Sequence, residues 1–168
     1  MKKILFILLA STLFVTCKSA KTGSTASANK AETEKAAELT DENVIYSDKF
    51  KAATAAETAA LLKELKATED RYSVLILTRN YKGEEITVTS NGKQVYRDYP
   101  ISNNAIGIAE KIRIDNTGDT EIYDKHTKKS ITIPGSEAKK YKYIHVAKEP
   151  SKKVPFVIVY SNKVKKLK

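Results

Sequence analysis

A mainly β fold, an antiparallel sandwich or barrel of about eight strands with one amphipathic α-helix packed on it, is the fold class that this sequence predicts. Three observations predict it. From Tyr72 onward, short apolar segments recur at roughly ten-residue spacing with turn residues between them, the rhythm of an all-β domain. Asn91-Gly92 stands between two such segments, and this pair suits a tight hairpin turn because both residues tolerate positive φ. Ahead of the strands, residues 54–67 space their apolar side chains for a helix instead.

The chain opens on Lys2 and Lys3, followed by an apolar run from Ile4 to Val15. Twelve residues rise about 18 Å as a helix, short of a hydrocarbon core of roughly 30 Å. Residues 1–16 therefore predict a signal peptide rather than a membrane span. The run closes on Leu13-Phe14-Val15-Thr16-Cys17, and Cys17 is the sole cysteine of the sequence. This segment resembles the lipobox of bacterial lipoproteins. The resemblance implies that Cys17 becomes the lipidated first residue of the mature chain. The family usually carries Leu three positions before the cysteine and Gly, Ala or Ser next to it; Phe14 and Thr16 stand there in this chain. Several acyl chains on one residue hold a protein firmly to a bilayer, whereas one chain holds weakly. Lys18, not Asp, follows the cysteine. By resemblance to the sorting rule of enteric lipoproteins, that implies the outer membrane, with the leaflet left open. Two other readings stand beside lipidation. A lone exported cysteine suits a free thiol or half of an intermolecular disulfide. Ala26-Ser27-Ala28 also has the small-x-small pattern of an ordinary signal-peptidase site, and a cut there leaves no cysteine.

Residues 17–43 read as the lipidated N-terminus and a flexible tether, because 18–30 contain only Ser, Thr, Ala, Lys, Gly and Asn. Residues 31–39 are rich in Ala, Glu and Lys and predict a passing helix with little to pack. The folded domain is expected over 44–168, helix first and basic tail last. Val44-Ile45-Tyr46 begins it as a short strand. Thr54 and Glu57 have the spacing of a capping box, and Ala55, Thr58, Leu61, Leu62 and Leu65 form one apolar stripe.

Strands follow. Residues 72–79 are apolar on both faces; 85–89 alternate, with Ile86 and Val88 on one side. Residues 94–99 form the return strand of the hairpin, closed by Pro100. Ile106, Ile108, Ile112 and Ile114 mark the next, with Lys111 and Arg113 facing out. A turn at 115–119 leads into strands at 121–125, 130–133, 141–147 and 154–161. Because 73–77 and 156–160 are apolar on both faces, they need a cover beyond the opposite sheet. The leucine stripe is the natural cover. The first and last of these strands are thus expected near each other, with the helix against Leu75, Leu77, Val157 and Val159.

Charge is placed unevenly. Residues 125–168 carry thirteen basic and two acidic side chains, whereas 17–124 carry fifteen and eighteen. Lys139, Lys140 and Lys142 interleave with Tyr141 and Tyr143, and Lys163, Lys165 and Lys166 lie in the tail; together they are the candidate anion-binding set. Catalytic signatures are missing from the sequence: no Gly-rich phosphate loop, no G-x-S-x-G elbow, no H-E-x-x-H. His126 and His145 stand nineteen residues apart with no cysteine near, which predicts surface or half-buried histidines and no metal. Asp115, Thr117, Asp119 and Glu121 place oxygens at alternate positions, but Gly118 and His126 stand where a calcium loop does not want them, so a plain turn is expected. Glu84, Glu85, Asp98 and Glu110 are expected on solvated faces, and no cofactor is expected. The function that follows is a membrane-anchored lipoprotein presenting a non-catalytic interaction module in the cell envelope. The alternative is a polyanion- or glycan-binding module using the basic third, and an enzyme with an unrecognised carboxylate site stands behind both. Expected partners are the membrane through the anchor and an envelope protein, anionic lipid or glycan; the export signal argues against intracellular nucleic acid.

Overall fold

Two sheets and one substantial helix make up the described part of the chain, residues 41–166 of a computed structural model. The signal run, Cys17 and residues up to 40 of the expected tether lie outside the described residues. A 3-10 turn, Asp41–Asn43, precedes β1 (Val44–Tyr46), and the Asn43 amide donates to the Phe156 carbonyl at 2.8 Å. The helix α1 is Ala55–Glu64. Thr54 caps it as the sequence predicts: Thr54 Oγ1 accepts from Glu57 N at 3.2 Å, and Glu57 Oε2 accepts from Thr54 N at 2.6 Å.

The next strands are β2 (Tyr72–Leu77), β3 (Ile86–Ser90), β4 (Lys93–Asp98), β5 (Glu110–Asp115), β6 (Thr120–Asp124) and β7 (Lys129–Ile133). A single helical turn, α2 (Gly135–Ala138), leads to β8 (Tyr143–Lys148) and β9 (Phe156–Ser161). One sheet has the order β1-β9-β8-β2-β5 and the other β4-β3-β6-β7. The β3–β4 hairpin turns at Asn91 and Gly92, with φ of 48° and 73°, the conformation that makes Asn-Gly suitable there. Leu75, Leu77, Ile112, Ile144, Val146, Phe156 and Ile158 from the first sheet meet Ile86, Val88, Ile122, Ile131 and Ile133 from the second in one shared core.

The structure corrects three expectations. The larger sheet is mixed, not antiparallel: β1 runs parallel to β9, and β2 parallel to β8. Parallel neighbours require long connections, and the whole second sheet lies within the connection from β2 to β8. Second, α1 covers the opposite face of β2 from the one expected. Leu75 and Leu77 turn into the shared core, while Leu61 packs with Val74, Ile76, Tyr143 and Val164. In a strand apolar on both faces, alternation cannot say which side meets the other sheet. The strands β2 and β9 do share a sheet, one strand apart. Third, Ile106 and Ile108 precede β5 instead of belonging to it. Gly107 takes φ of 71° and Asn103 Oδ1 accepts from Ala105 N at 2.9 Å, so a tight turn replaces the expected extension.

Candidate functional site

The outer face of the mixed sheet is only partly covered by α1. Register places Ile45, Val159, His145 and Ile76 side by side on that face. Ile76 lies under the helix; the other three line a cleft of about 330 Å³ beside it. Val157 and Ala147 extend the floor, Phe50 forms one wall, and Ile106 and Ile108 form another. Their departure from β5 is what supplies that wall. The segment after β9 closes the remaining side, because Lys165 bridges to Ala52 and the Lys166 N–H donates to the Lys51 carbonyl at 2.7 Å. Lys165 lines the cleft from this segment and is exposed to solvent.

His145 is the polar group in the floor. It is 8% exposed, its ring meets Phe50 edge-on with centroids 5.8 Å apart, and Nε2 has no hydrogen-bond partner. Burial and then the nearby Lys165 charge push its pKa down to about 4, against the pull of a hydrogen bond to the Lys163 backbone. At neutral pH the ring is therefore uncharged. With the Lys163 backbone engaging the ring, Nε2 is left as a buried acceptor without a donor. A buried acceptor left unpaired costs about 1–3 kcal/mol, so a ligand donating a hydrogen bond there recovers energy that the free protein has lost.

The six candidate lysines fall into different situations. Lys139 and Lys140 follow α2, and Lys140 pairs with Glu137 at 2.7 Å. Lys142 is turned inward: its ammonium donates to the Tyr72 and Glu69 carbonyls at 2.8 and 2.9 Å, and burial lowers its pKa. Asn162 ties the two basic segments together, accepting from the Lys142 N–H at 3.0 Å and donating to the Lys140 carbonyl at 3.3 Å. Among the described residues, no carboxylate lies within ion-pair distance of Lys139, Lys163, Lys165 or Lys166.

A second polar cluster lies on the inner side of β8, toward the second sheet. Lys148, 4% exposed, reaches Glu84 and stands 2.7 Å from Asp124 Oδ2. Asp124 Oδ1 accepts from the backbone of His126 at 2.9 Å and Thr127 at 3.3 Å, holding the β6–β7 turn. Burial, the largest single influence, pushes both carboxyls up; the Lys148 ammonium and backbone N–H donors together outweigh it and hold them below their usual range. Glu84 is thus not on a solvated face. Glu85 is bound by Arg97 at 3.0 Å and Lys125 at 2.9 Å. Residues 115–119 turn as the sequence predicts, with Asp115 Oδ1 accepting from Thr117 Oγ1 at 2.6 Å.

No protein-family model matches the chain, and no curated protein or solved structure matches it. Among the described residues, no helix is long and apolar enough to cross a membrane. The sequence predicts a surface or half-buried His145, whereas the structure buries it in the sheet. A polar residue inside the apolar side of Tyr143, His145 and Ala147 was the available signal, and it does not distinguish a covered face from an open one.

Proposed function

We propose that this chain is a lipid-anchored, non-catalytic binding module of the cell envelope, a β-sandwich with a helix on one outer face, and that its recognition site is the cleft over β8 and β9. The reading is carried by one observation: a concave apolar surface whose floor holds a buried, unpaired histidine nitrogen. Small-molecule sites combine these features, apolar walls for affinity and a few polar atoms for orientation. Nothing beside His145 in the lining is arranged as its catalytic partner. Thr78 Oγ1 donates to the Val146 carbonyl at 3.1 Å, and Ser161 outside the lining is held by Asp48 and the Lys163 carbonyl. The anchor rests on the resemblance of residues 13–17 to a lipobox.

Mass spectrometry of the full chain extracted from bacterial envelopes tests both parts. Denatured, the protein is expected to carry acyl mass on an N-terminal Cys17, absent in Cys17→Ala. Under native conditions it is expected to hold a small molecule that Ala147→Trp, which fills the cleft, displaces. An unmodified chain starting at Asn29 refutes the anchor, and an adduct indifferent to Ala147→Trp refutes the cleft. The polyanion reading is favoured by the four lysines without ion pairs. It predicts heparin binding that is lost at moderate salt and weakened by Lys163→Ser with Lys166→Ser.

A further inference from the structure

The cleft's polar groups restrict the ligand further. We propose that it takes the chain of a single aliphatic monocarboxylic acid, the protonated carboxyl donating to His145 Nε2 while its carbonyl oxygen accepts from Lys165; this rests on the cleft being the binding site. The walls are aliphatic and aromatic, and a volume of about 330 Å³ is at the lower end for small-molecule sites, which suits one chain rather than a two-chain lipid. Among the lining residues are a lone pair without a donor, on His145, and an ammonium without a carboxylate partner, on Lys165, whose charge acts on His145. An alcohol must meet both through its single oxygen, donating to the nitrogen and accepting from the ammonium at one point. A carboxylate pairs with the ammonium but sets a lone pair against a lone pair. A carboxylic acid satisfies both, with its proton shared along the O–H–N line.

The proposal has a chemical consequence. The acid is ionised in water at neutral pH and His145 is neutral, so the complex holds one proton more than its separated parts. Affinity must then rise about tenfold for each unit fall in pH while the free acid remains ionised. The charged groups facing His145 are Lys165, from the segment after β9, and Arg79, at the end of β2. Arg79 is already paired with Glu149 at 2.9 Å, and no carboxylate lines the cleft. The proton taken up on binding belongs, on this proposal, to the carboxyl–His145 pair.

Calorimetric titration of the full chain with decanoate and decan-1-ol at pH 6, 7 and 8 tests this. Expected are one decanoate site that tightens about tenfold per unit fall in pH, and decan-1-ol at least tenfold weaker than decanoate at pH 6 and indifferent to pH. Lys165→Met, an exposed change that leaves the core alone, is expected to weaken decanoate at least tenfold and decan-1-ol far less. His145→Leu is expected to remove the pH dependence. Equal affinity for acid and alcohol, or decanoate binding indifferent to pH or to Lys165→Met, overturns the acid assignment while the cleft remains a ligand site. If neither probe binds but Ala147→Trp displaces the native adduct, the acid assignment alone falls. If that adduct also persists in Ala147→Trp, both readings fall.

Discussion

Lys148 lies in β8 on the side turned to the second sheet, in phase with Ile144 and Val146. Its ammonium is buried with Asp124 and Glu84, and its position near 5.9 Å from the centroid of the Tyr81 ring adds a weak cation–π contact. Removing one partner of a buried ionic group strands the others, at a cost of about 3–5 kcal/mol. Lys148→Met should therefore lower stability by that order, read as a shift of the urea midpoint, and adding Asp124→Asn should restore part of it. A loss under about 1 kcal/mol would mean that water already shares the load. His145 makes stability depend on pH. Its folded pKa, near 4, lies below the unfolded value of about 6.5, so acid drives a proton onto the unfolded chain first. Stability is expected to fall by about 3 kcal/mol as pH drops from 6.5 to 4, and His145→Gln should flatten that window. Asp115 acts lower. Thr117 and Arg71 hold its carboxyl well below the usual range, so its contribution is intact above the unfolded value of about 3.9 and is lost only in stronger acid.

Within elements, local chemistry was readable wherever the determinants sit close in sequence. The Thr54–Glu57 box and the Asn91-Gly92 turn each involve residues within a few positions, and both formed as expected. The C-terminal end of α1 carried no such signal. Lys66 adopts φ of 51° there, the left-handed conformation that glycine takes at little cost. Lys66 is exposed, its carbonyl accepts from Arg113 Nη1 at 3.1 Å, and this contact does not involve the lysine side chain. Lys66→Gly should thus stabilise the domain by about 1 kcal/mol, while Thr54→Ala should destabilise it by about 1 kcal/mol. Thermal melts of the two variants should move in opposite directions. The face of β2 met by α1 was not legible, since Val74 and Ile76 are as apolar as Leu75 and Leu77. The detour at 103–108 was also hidden, because Ile106 and Ile108 keep the spacing of a strand while Gly107 turns the backbone. The cleft exists through that detour, and so the candidate site was less visible than the fold around it.

Across the whole molecule, the two sheets differ in how the chain assembles them. Strands β3, β4, β6 and β7 come from one span, joined largely by antiparallel neighbours, whereas the mixed sheet needs β1 and β9 from opposite ends of the described chain. Contacts so distant in sequence carry little trace in local pattern, which is why parallel pairing went unread. The segment after β9 completes this second assembly. Val164 is buried against Leu61, Val74 and Ile76, its carbonyl accepts from the Ala53 N–H at 2.8 Å, and Lys165 forms the cleft's near side. Helix cover and cleft wall therefore depend on the same few residues. Ending the chain after Asn162 should release α1 and the Phe50 wall together while the shared core, built from other residues, persists. Amide hydrogen exchange measures this directly, because local opening and global unfolding separate by residue. The expected result is lost protection across 51–67 with β3, β6 and β7 unchanged, accompanied by loss of the native adduct. Retained protection in α1 would show that the helix docks on β2 without Val164, and a uniform loss would make the segment part of the global fold. Loss at α1 with the adduct kept would separate the ligand site from the segment after β9, and would move the determinant of binding to the β8–β9 floor.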